Sequence, residues 1–223
     1  MSVFHNLLMA AVVGEGGTGS GNFSLWSWGT NSSGELADGT TTNRSSPVQV
    51  GALTDWTPNI AANWDSVFAI KTDGTLWAWG SNYDFGLGLG DSTSRSSPVQ
   101  VGTASDWYHV GRGSATGYAI NTSGELYTVG SNTVGQLGFG DTTSRSSLTQ
   151  VGSLTNWAGC TGGSNFTVAV KTDGTSWSWG DGNDYKYFRD STTDYSSPVQ
   201  VGSDDNWVKV VGGGRFMIGI KEE

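Results

Sequence analysis

The pentapeptide Leu25-Trp26-Ser27-Trp28-Gly29 decides the fold, because the chain repeats it at a fixed interval. It returns as Leu76-Trp77-Ala78-Trp79-Gly80, as Leu126-Tyr127-Thr128-Val129-Gly130 and as Ser176-Trp177-Ser178-Trp179-Gly180. The closing glycines are 51, 50 and 50 residues apart. A fixed period of this length is typical of propellers, solenoids and other repeat architectures. The sequence therefore predicts a repeat protein.

Other landmarks keep the same interval. The stretch Ser45-Ser46-Pro47-Val48-Gln49 recurs in each copy, and a single tryptophan follows it every time, at Trp56, Trp107, Trp157 and Trp207. A hairpin signature, Lys71-Thr72-Asp73-Gly74, recurs at residues 121–124 and 171–174. Four copies of one unit thus account for nearly everything after about residue 22.

Each copy has the pattern of β-structure. Residues 67–70 and 76–79 are apolar and aromatic runs separated by Asp73-Gly74. Asp-Gly supplies the positive φ angles that tight hairpin turns require. Residues 47–50 form a further extended piece, since proline is tolerated where a strand need not donate a ladder hydrogen bond. The Gly/Asn/Ser/Thr-rich stretch of residues 29–45 and its equivalents are predicted loops.

The first and last copies are incomplete in complementary ways. The first begins with Leu25–Trp28 and has no hairpin partner before it, while the last stops after Phe216–Lys221. If these halves pair, one blade is built from both termini and the ring closes, which removes exposed sheet edges. We therefore predict an all-β, four-bladed β-propeller over residues 22–223. The alternative is pairing of the halves between chains, which would give a homo-oligomer.

Composition excludes several functional classes. The 223 residues carry a net charge of −9, which disfavours nucleic acid because nucleic-acid binding needs a basic face. The single cysteine, Cys160, excludes an internal disulfide framework. No run reaches the roughly 18 apolar residues of a membrane-spanning helix. Aromatic residues make up 12% of the chain, which argues for a packed core rather than a disordered glycine-rich tract.

The third copy carries a recognisable loop signature, Gly130-Ser131-Asn132-Thr133-Val134-Gly135-Gln136-Leu137-Gly138-Phe139-Gly140-Asp141. It resembles the repeats of the regulator of chromosome condensation family, which read roughly W-G-x-N-x-x-G-Q-L-G-x-G-D. This resemblance implies a β-propeller, typically with seven blades, and a tendency to bind proteins. Typical members carry a histidine just before the alanine-bearing strand. The corresponding residues here are Ser66, Thr116, Phe166 and Phe216.

Residues 1–21 stand outside the repeat. Apolar side chains at helical spacing, including Phe4, Leu7 and Leu8, precede the Gly-rich stretch of residues 14–21. We predict a flexible arm whose apolar stripe docks on a partner; a frayed terminus is the alternative. The opening residues 1–11 are also similar to the starts of some marine phage structural proteins.

Two places depart from the repeat and are the candidate binding surface. Trp64 has no counterpart in the other copies, whereas most tryptophans recur in register and are predicted to pack between blades. The run Tyr185-Lys186-Tyr187-Phe188-Arg189 replaces the glycine loop of the fourth copy. Tyrosine, phenylalanine and arginine are enriched in binding hot spots. The alternative for this run is a degenerated loop folded onto its own blade.

No pattern indicates catalysis. His5 lies in the predicted arm and His109 stands alone after Trp107, so no nucleophile–histidine pair or metal cluster is suggested. The aspartates of Asp73-Gly74 and Asp173-Gly174 are explained by turn geometry. We therefore expect a protein that is not an enzyme and has no catalytic residue, metal or cofactor.

The functional hypothesis is a structural or receptor-binding component of a larger assembly, specifically a phage virion protein such as a tail fibre, appendage or decoration protein. Its expected partners are other virion proteins through the N-terminal arm, and a host-surface protein or glycan. The alternatives are a stand-alone protein-binding module and a carbohydrate-binding lectin, either of which would be cytoplasmic or secreted rather than in a virion. An exchange factor for a small GTPase ranks last, because the acidic balance and the missing family positions do not support it.

Overall fold

A computed structural model describes residues 23–182 and 193–223 of the chain. All the regular structure in these residues is β, in sixteen antiparallel strands. The described part of the chain contains no helix that is long and apolar enough to cross a membrane.

Twelve of the strands form three complete blades, each a four-stranded antiparallel sheet in sequence order. The first blade consists of β3 (Trp56–Asn63), β4 (Ser66–Lys71), β5 (Leu76–Gly80) and β6 (Arg95–Gln100). The second consists of β7 (Trp107–Arg112), β8 (Thr116–Asn121), β9 (Leu126–Gly130) and β10 (Arg145–Gln150). The third consists of β11 (Trp157–Gly162), β12 (Phe166–Lys171), β13 (Ser176–Gly180) and β14 (Tyr195–Gln200). The predicted propeller fold of repeated blades is confirmed.

The remaining four strands form two half-blades. β1 (Trp26–Gly29) and β2 (Arg44–Gln49) pair in the register of β5 and β6, so they are the outer half of a blade. β15 (Trp207–Gly212) and β16 (Met217–Lys221) pair in the register of β7 and β8, the inner half. These half-blades are two separate two-stranded sheets. Here the structure differs from the prediction, which joined them into one closing blade.

The physical reason lies in the packing between blades. The second strand of each complete blade contacts the first strand of the next unit, β4 against β7, β8 against β11 and β12 against β15. Buried apolar side chains, among them Phe68 and Val110 between the first two blades, lie in these contacts. Closing four units into a ring would need a turn of a quarter circle per unit, and the two half-blades that such a turn would join are separate sheets here. The units therefore follow an open arc.

The hairpin turns and paired tryptophans follow the predicted pattern. The Asp73 carboxylate accepts hydrogen bonds from the backbone N–H and the hydroxyl of Thr75, at 3.0 and 2.6 Å, and Gly74 has a φ of +78°. Trp79 is 2% exposed and packs edge-on against Trp56, with ring centroids 5.8 Å apart. The strand tryptophans of the complete blades are therefore packing residues, as expected.

A buried asparagine organises each described glycine loop. The side-chain oxygen of Asn82 accepts the Leu87 N–H at 2.9 Å, and Asn132 holds Leu137 in the same way. Arginine–aspartate pairs brace the ends of these loops, Arg95 with Asp91 at 2.7 Å. Such a pair is exposed to solvent, so it contributes little to stability. The loops are thus rigid platforms at one end of each blade.

Candidate functional site

The turn between the first two strands of a blade and the loop after its third strand lie on the same face of the arc. The backbone N–H of Ser81, which opens the loop, donates to the Asp65 carbonyl in the turn at 2.8 Å. The second and third blades repeat this bond, from Ser131 to Ala115 at 3.0 Å and from Asp181 to Asn165 at 2.8 Å. Side chains that depart from the repeat at either place therefore meet on one surface.

Trp64 lies in the first of these turns, in a backbone conformation that bulky residues avoid. Its φ is +52° and its side chain is 61% exposed. The left-handed region costs a non-glycine residue about 1–2 kcal/mol. Ser114, Ser164 and Gly214 occupy the equivalent positions of the other units. A strained, exposed indole that only one unit carries is a feature of this surface rather than of the repeat.

The loop beside this turn also departs from the repeat. Tyr83 is 84% exposed, the largest exposure of any large hydrophobic side chain among the described residues. Phe85 has a φ of +62°, at a position where the neighbouring copies use Gly34 and Gly135. Two aromatic residues in the left-handed region, Trp64 and Phe85, thus lie in adjacent segments of one blade.

A polar cavity of about 220 Å³ lies between the first and second blades on this face. Its walls come from the turn at Asp65, the loop at Tyr83 and Asp84, and the second-blade turn at Ser114. Arg112 forms part of the cavity lining. We call Trp64, Tyr83 and this cavity the Trp64 face.

Arg112 is a buried cation, 4% exposed, and three neighbouring residues contact its guanidinium group. Its Nη1 donates to the Gly86 carbonyl and its Nη2 to the Ser66 hydroxyl. Its guanidinium carbon lies 4.9 Å from the centre of the Phe68 ring. Opposite it stands Gly117, where an added Cβ would lie 2.9 Å from Arg112 Nη1. The corresponding residues of other units, Ala62, Gly162 and Gly212, carry no charge.

In the described part of the chain, this guanidinium is the one cation in the cavity lining, which also contains Asp65 and Asp84. Burial lowers the pKa of Arg112 to about 10, an effect that electrostatic interactions with Tyr118 and Asp65 partly offset, so the side chain stays protonated near neutral pH. No residue among those described accepts a hydrogen bond from its Nε. A buried cation without a directly bonded carboxylate is costly. Because Asp65 and Asp84 lie beside this cation, the cavity is suited to a hydroxyl group of a bound partner, which can both accept and donate a hydrogen bond.

Of the site residues predicted from the sequence, the structure describes only Trp64. Trp64 is exposed, and it lies beside a cavity that the sequence did not reveal. The run Tyr185–Arg189 lies outside the described residues, as do Phe4, Leu7 and Leu8 of the arm. The residues missed from the sequence are Tyr83, Phe85 and Arg112. The available signal was the same one that identified Trp64, namely a departure from the repeat.

His109 is a packing residue between the second and third blades. Its Nε2 accepts the backbone N–H of Cys160 at 3.2 Å, and burial lowers the pKa of the imidazole. Cys160 is itself buried, which raises the pKa of its thiol. Among the described residues, no three His, Cys, Asp or Glu side chains lie close enough together to hold a metal ion.

Comparisons with known proteins agree with this architecture. The family model of the regulator of chromosome condensation (RCC1) repeat matches residues 73–119 and 123–170, and a second model of the same repeat matches residues 59–86. The solved structure of human WBSCR16 is similar with a TM-score of 0.80 at 19% identity, covering 90% of this chain and 54% of that one. Prp20p from Saccharomyces cerevisiae is similar with a TM-score of 0.77 at 20% identity, covering 89% of this chain and 52% of that one.

The chain thus spans about half the length of these structures while superposing over nearly all of its own. Its blades consequently follow the curvature of a larger ring, which agrees with the open arc. The repeat matches, the four-stranded blades and the fold similarity together identify the chain as a β-propeller protein of RCC1-type repeats.

Proposed function

We propose that this chain is a non-catalytic protein-binding module and that the Trp64 face takes its partner. The observation that carries the proposal is the strained, exposed Trp64, with a φ of +52°. Strain of this kind persists where the surrounding structure enforces it, and it gathers at binding and catalytic sites. Tryptophan and tyrosine are the side chains that most often anchor protein interfaces, so Trp64 and Tyr83 supply two anchors.

The chemistry of the cavity narrows the partner. Arg112 presents a buried positive charge, whereas Asp65 and Asp84 also line the cavity. A protein loop that inserts a hydroxyl-bearing side chain between the two aromatic anchors would satisfy both, because a hydroxyl accepts a hydrogen bond from Arg112 and donates one to an aspartate. Such a polar group at the centre of an aromatic contact supplies specificity, because a partner lacking it leaves the buried cation unpaired.

Protein binding by similar structures supports the assignment at the level of fold. The structure of Prp20p was described with its binding to Gsp1p and histones, and yeast RCC1 (Prp20) was solved bound to Kap60. Functions are carried by sites grafted onto folds, so these partners are not transferred to this chain. The Trp64 face is its own site.

The larger assembly in which we propose the module works is a phage virion. The support is the similarity of residues 1–11 to phage structural proteins and the apolar stripe on a Gly-rich tether. In this proposal Phe4, Leu7 and Leu8 attach the chain to the particle, and the Trp64 face binds a host-surface protein.

The binding face is tested by Trp64→Ala, with Leu154→Ala as the matched control on an exposed loop between the second and third blades. Both proteins should fold with unchanged circular dichroism. Particles carrying Trp64→Ala should keep the protein and lose adsorption to host cells at least tenfold, while Leu154→Ala particles adsorb normally. Equal adsorption of the two kinds of particle would contradict the proposal that the Trp64 face binds the host.

The arm is tested separately by deleting residues 1–21. The shortened protein should fold but be absent from purified particles that incorporate the full chain, as measured with an antiserum. Normal incorporation would contradict the docking role. A glycan array with the full chain distinguishes the lectin alternative, because sugar binding that survives Trp64→Ala would place recognition elsewhere.

A further inference from the structure

The two half-blades expose apolar side chains that are buried at every equivalent position of the complete blades. Ile218 in β16 is 62% exposed, whereas Phe68, Tyr118 and Val168 at the same position are fully buried. Trp28 in β1 is 52% exposed, whereas Trp79, Val129 and Trp179 are at most 2% exposed. Two unsatisfied apolar faces thus lie at opposite ends of the arc.

These faces are the two sides of one strand pairing that the half-blades lack, and we call this pairing the seam. In the first complete blade the seam joins β4 to β5, with Val67 opposite Trp79 and Phe68 opposite Ala78. β16 is the equivalent of β4, and β1 is the equivalent of β5. Among the described residues, each half-blade therefore presents an unpaired strand edge and the apolar pattern that the other lacks.

We infer that a second copy of this chain completes both half-blades, so that two copies close one ring. β16 of each copy pairs with β1 of the other. The register is that of the complete blades, which places Ile218 opposite Ser27 and Met217 opposite Trp28. Each copy supplies three complete blades, and two composite blades join the copies. The ring has eight blades, within the usual range of about 4 to 8 for propellers.

Pairing within one chain is disfavoured by curvature. The chain superposes over 90% of its length on 54% of a structure about 1.7 times as long. Its two ends therefore lie on opposite sides of a ring rather than beside each other. Two such arcs joined end to end form a closed twofold assembly, the commonest symmetry of soluble oligomers.

The hairpin geometry at the two ends supports the same register. In the first blade the N–H of Thr72 donates to the Asp55 carbonyl, and the N–H of Trp107 donates to the Gly74 carbonyl. In the half-blades the N–H of Glu222 donates to Asn206, and the N–H of Trp56 donates to Phe23. Glu222 and Phe23 thus occupy the places of Thr72 and Gly74 in a turn shared by two chains.

The interface extends to the first strand of the next blade, where Trp56 is already buried and Ile60 is half-buried. In the complete blades, Phe68 and Ile70 of β4 pack against Trp107 and Val110 of the following blade. In the composite blade, Ile218 and Ile220 pack against Trp56 and Ile60 of the second copy, which stand at the equivalent positions. The contact is therefore continuous with the blade-to-blade interface that already repeats through the arc.

The mass of the full chain by light scattering gives the first test. The wild type should have the mass of two chains, and Ile218→Asp should have the mass of one. The control is Leu154→Asp, which places the same charge on an exposed loop far from either end and should keep two chains. A single-chain wild type, an assembly larger than two chains, or an Ile218→Asp protein with unchanged mass would overturn the inference.

The register is tested by disulfides that can form only between copies. A chain carrying Ser27→Cys is mixed with a chain carrying Ile218→Cys and mildly oxidised; the native Cys160 is buried and does not compete. A two-chain band should appear in this mixture and should be at least tenfold weaker when Ile220→Cys replaces Ile218→Cys. Equal bands, or none, would contradict the register.

Discussion

The indole Nε1 of Trp79 donates a hydrogen bond to the backbone carbonyl of Glu35 at 2.9 Å, across 44 residues of sequence. The bond ties the first complete blade to the loop of the preceding half-blade. Trp179 repeats it one pair of units later, with Gln136 as the acceptor at 3.0 Å. A strand tryptophan is therefore both a core residue and a polar tie between neighbouring units.

Replacing Trp79 by phenylalanine should remove this tie. The partly buried Glu35 carbonyl loses its donor and a small void forms, which together should lower the free energy of unfolding by about 1–3 kcal/mol. Trp64→Phe is the control, since it makes the same chemical change at an exposed site and should stay within about 0.5 kcal/mol. Urea unfolding measures both, and equal losses would contradict the tie.

Gly117→Ala should destabilise the contact between the first two blades. An added Cβ would lie 2.6 Å from the Phe68 ring and 2.9 Å from Arg112, and overpacking of this kind costs about 1–3 kcal/mol. Gly159→Ala is the matched control in a strand of the third blade, where the nearest atoms, on His109, lie 3.9 Å away. A lower urea midpoint for Gly117→Ala alone confirms the packing, whereas equal midpoints contradict it.

Trp64→Gly and Trp64→Ala should differ in stability although both remove the indole. Glycine adopts the φ of +52° without strain, while alanine keeps the strain, so the glycine variant should be more stable by up to about 1 kcal/mol. Both should lose partner binding to the same extent. An alanine variant as stable as the glycine variant would mean that the turn relaxes and stores no strain.

His109 should make stability depend on pH. Burial lowers its pKa in the folded chain below the ordinary value of 6.5. Below about pH 6.5 the imidazole is protonated in the unfolded chain while it is still neutral in the folded chain. Stability that is present at about pH 7.5 is therefore lost as the pH falls below about 6.5. His109→Gln should flatten the urea midpoint between about pH 7 and pH 5.5, while the control His5→Gln should retain the wild-type slope. A wild-type slope in His109→Gln would contradict this origin.

Local structure could be predicted from the sequence because the same hairpin signature occurs in three copies of the repeat. Asp73-Gly74 marks the hairpin between β4 and β5. A tryptophan after the outer strand of each unit, Trp56 in the first case, marks the start of the next unit. The incompleteness of Leu25–Trp28 and Phe216–Lys221 likewise identified two complementary half-blades. Short-range signals of this kind depend on residues within one unit.

The arc and the cavity could not be predicted in the same way. The angle between blades depends on how side chains such as Phe68 fit against Gly117 in the next unit, and no local pattern encodes that angle. Arg112 belongs to a site only because Gly86 and Ser66, distant in sequence, make room for it. Comparing each unit with its neighbours identifies Tyr83, Phe85 and Arg112 as departures from the repeat, but only the fold shows that they lie close together.

The central structural claim is that the two half-blades do not pair within one chain. The direct measurement is the distance between spin labels on Ser27→Cys and Ile218→Cys in one chain, by pulsed electron paramagnetic resonance, with the labelled protein diluted into excess wild type. We predict a distance far longer than the roughly 5 Å between Cβ atoms that face each other across paired strands. Labels coupled at contact distance in the diluted sample would show a four-bladed ring closed by a single chain, and would contradict both the open arc and the two-copy ring.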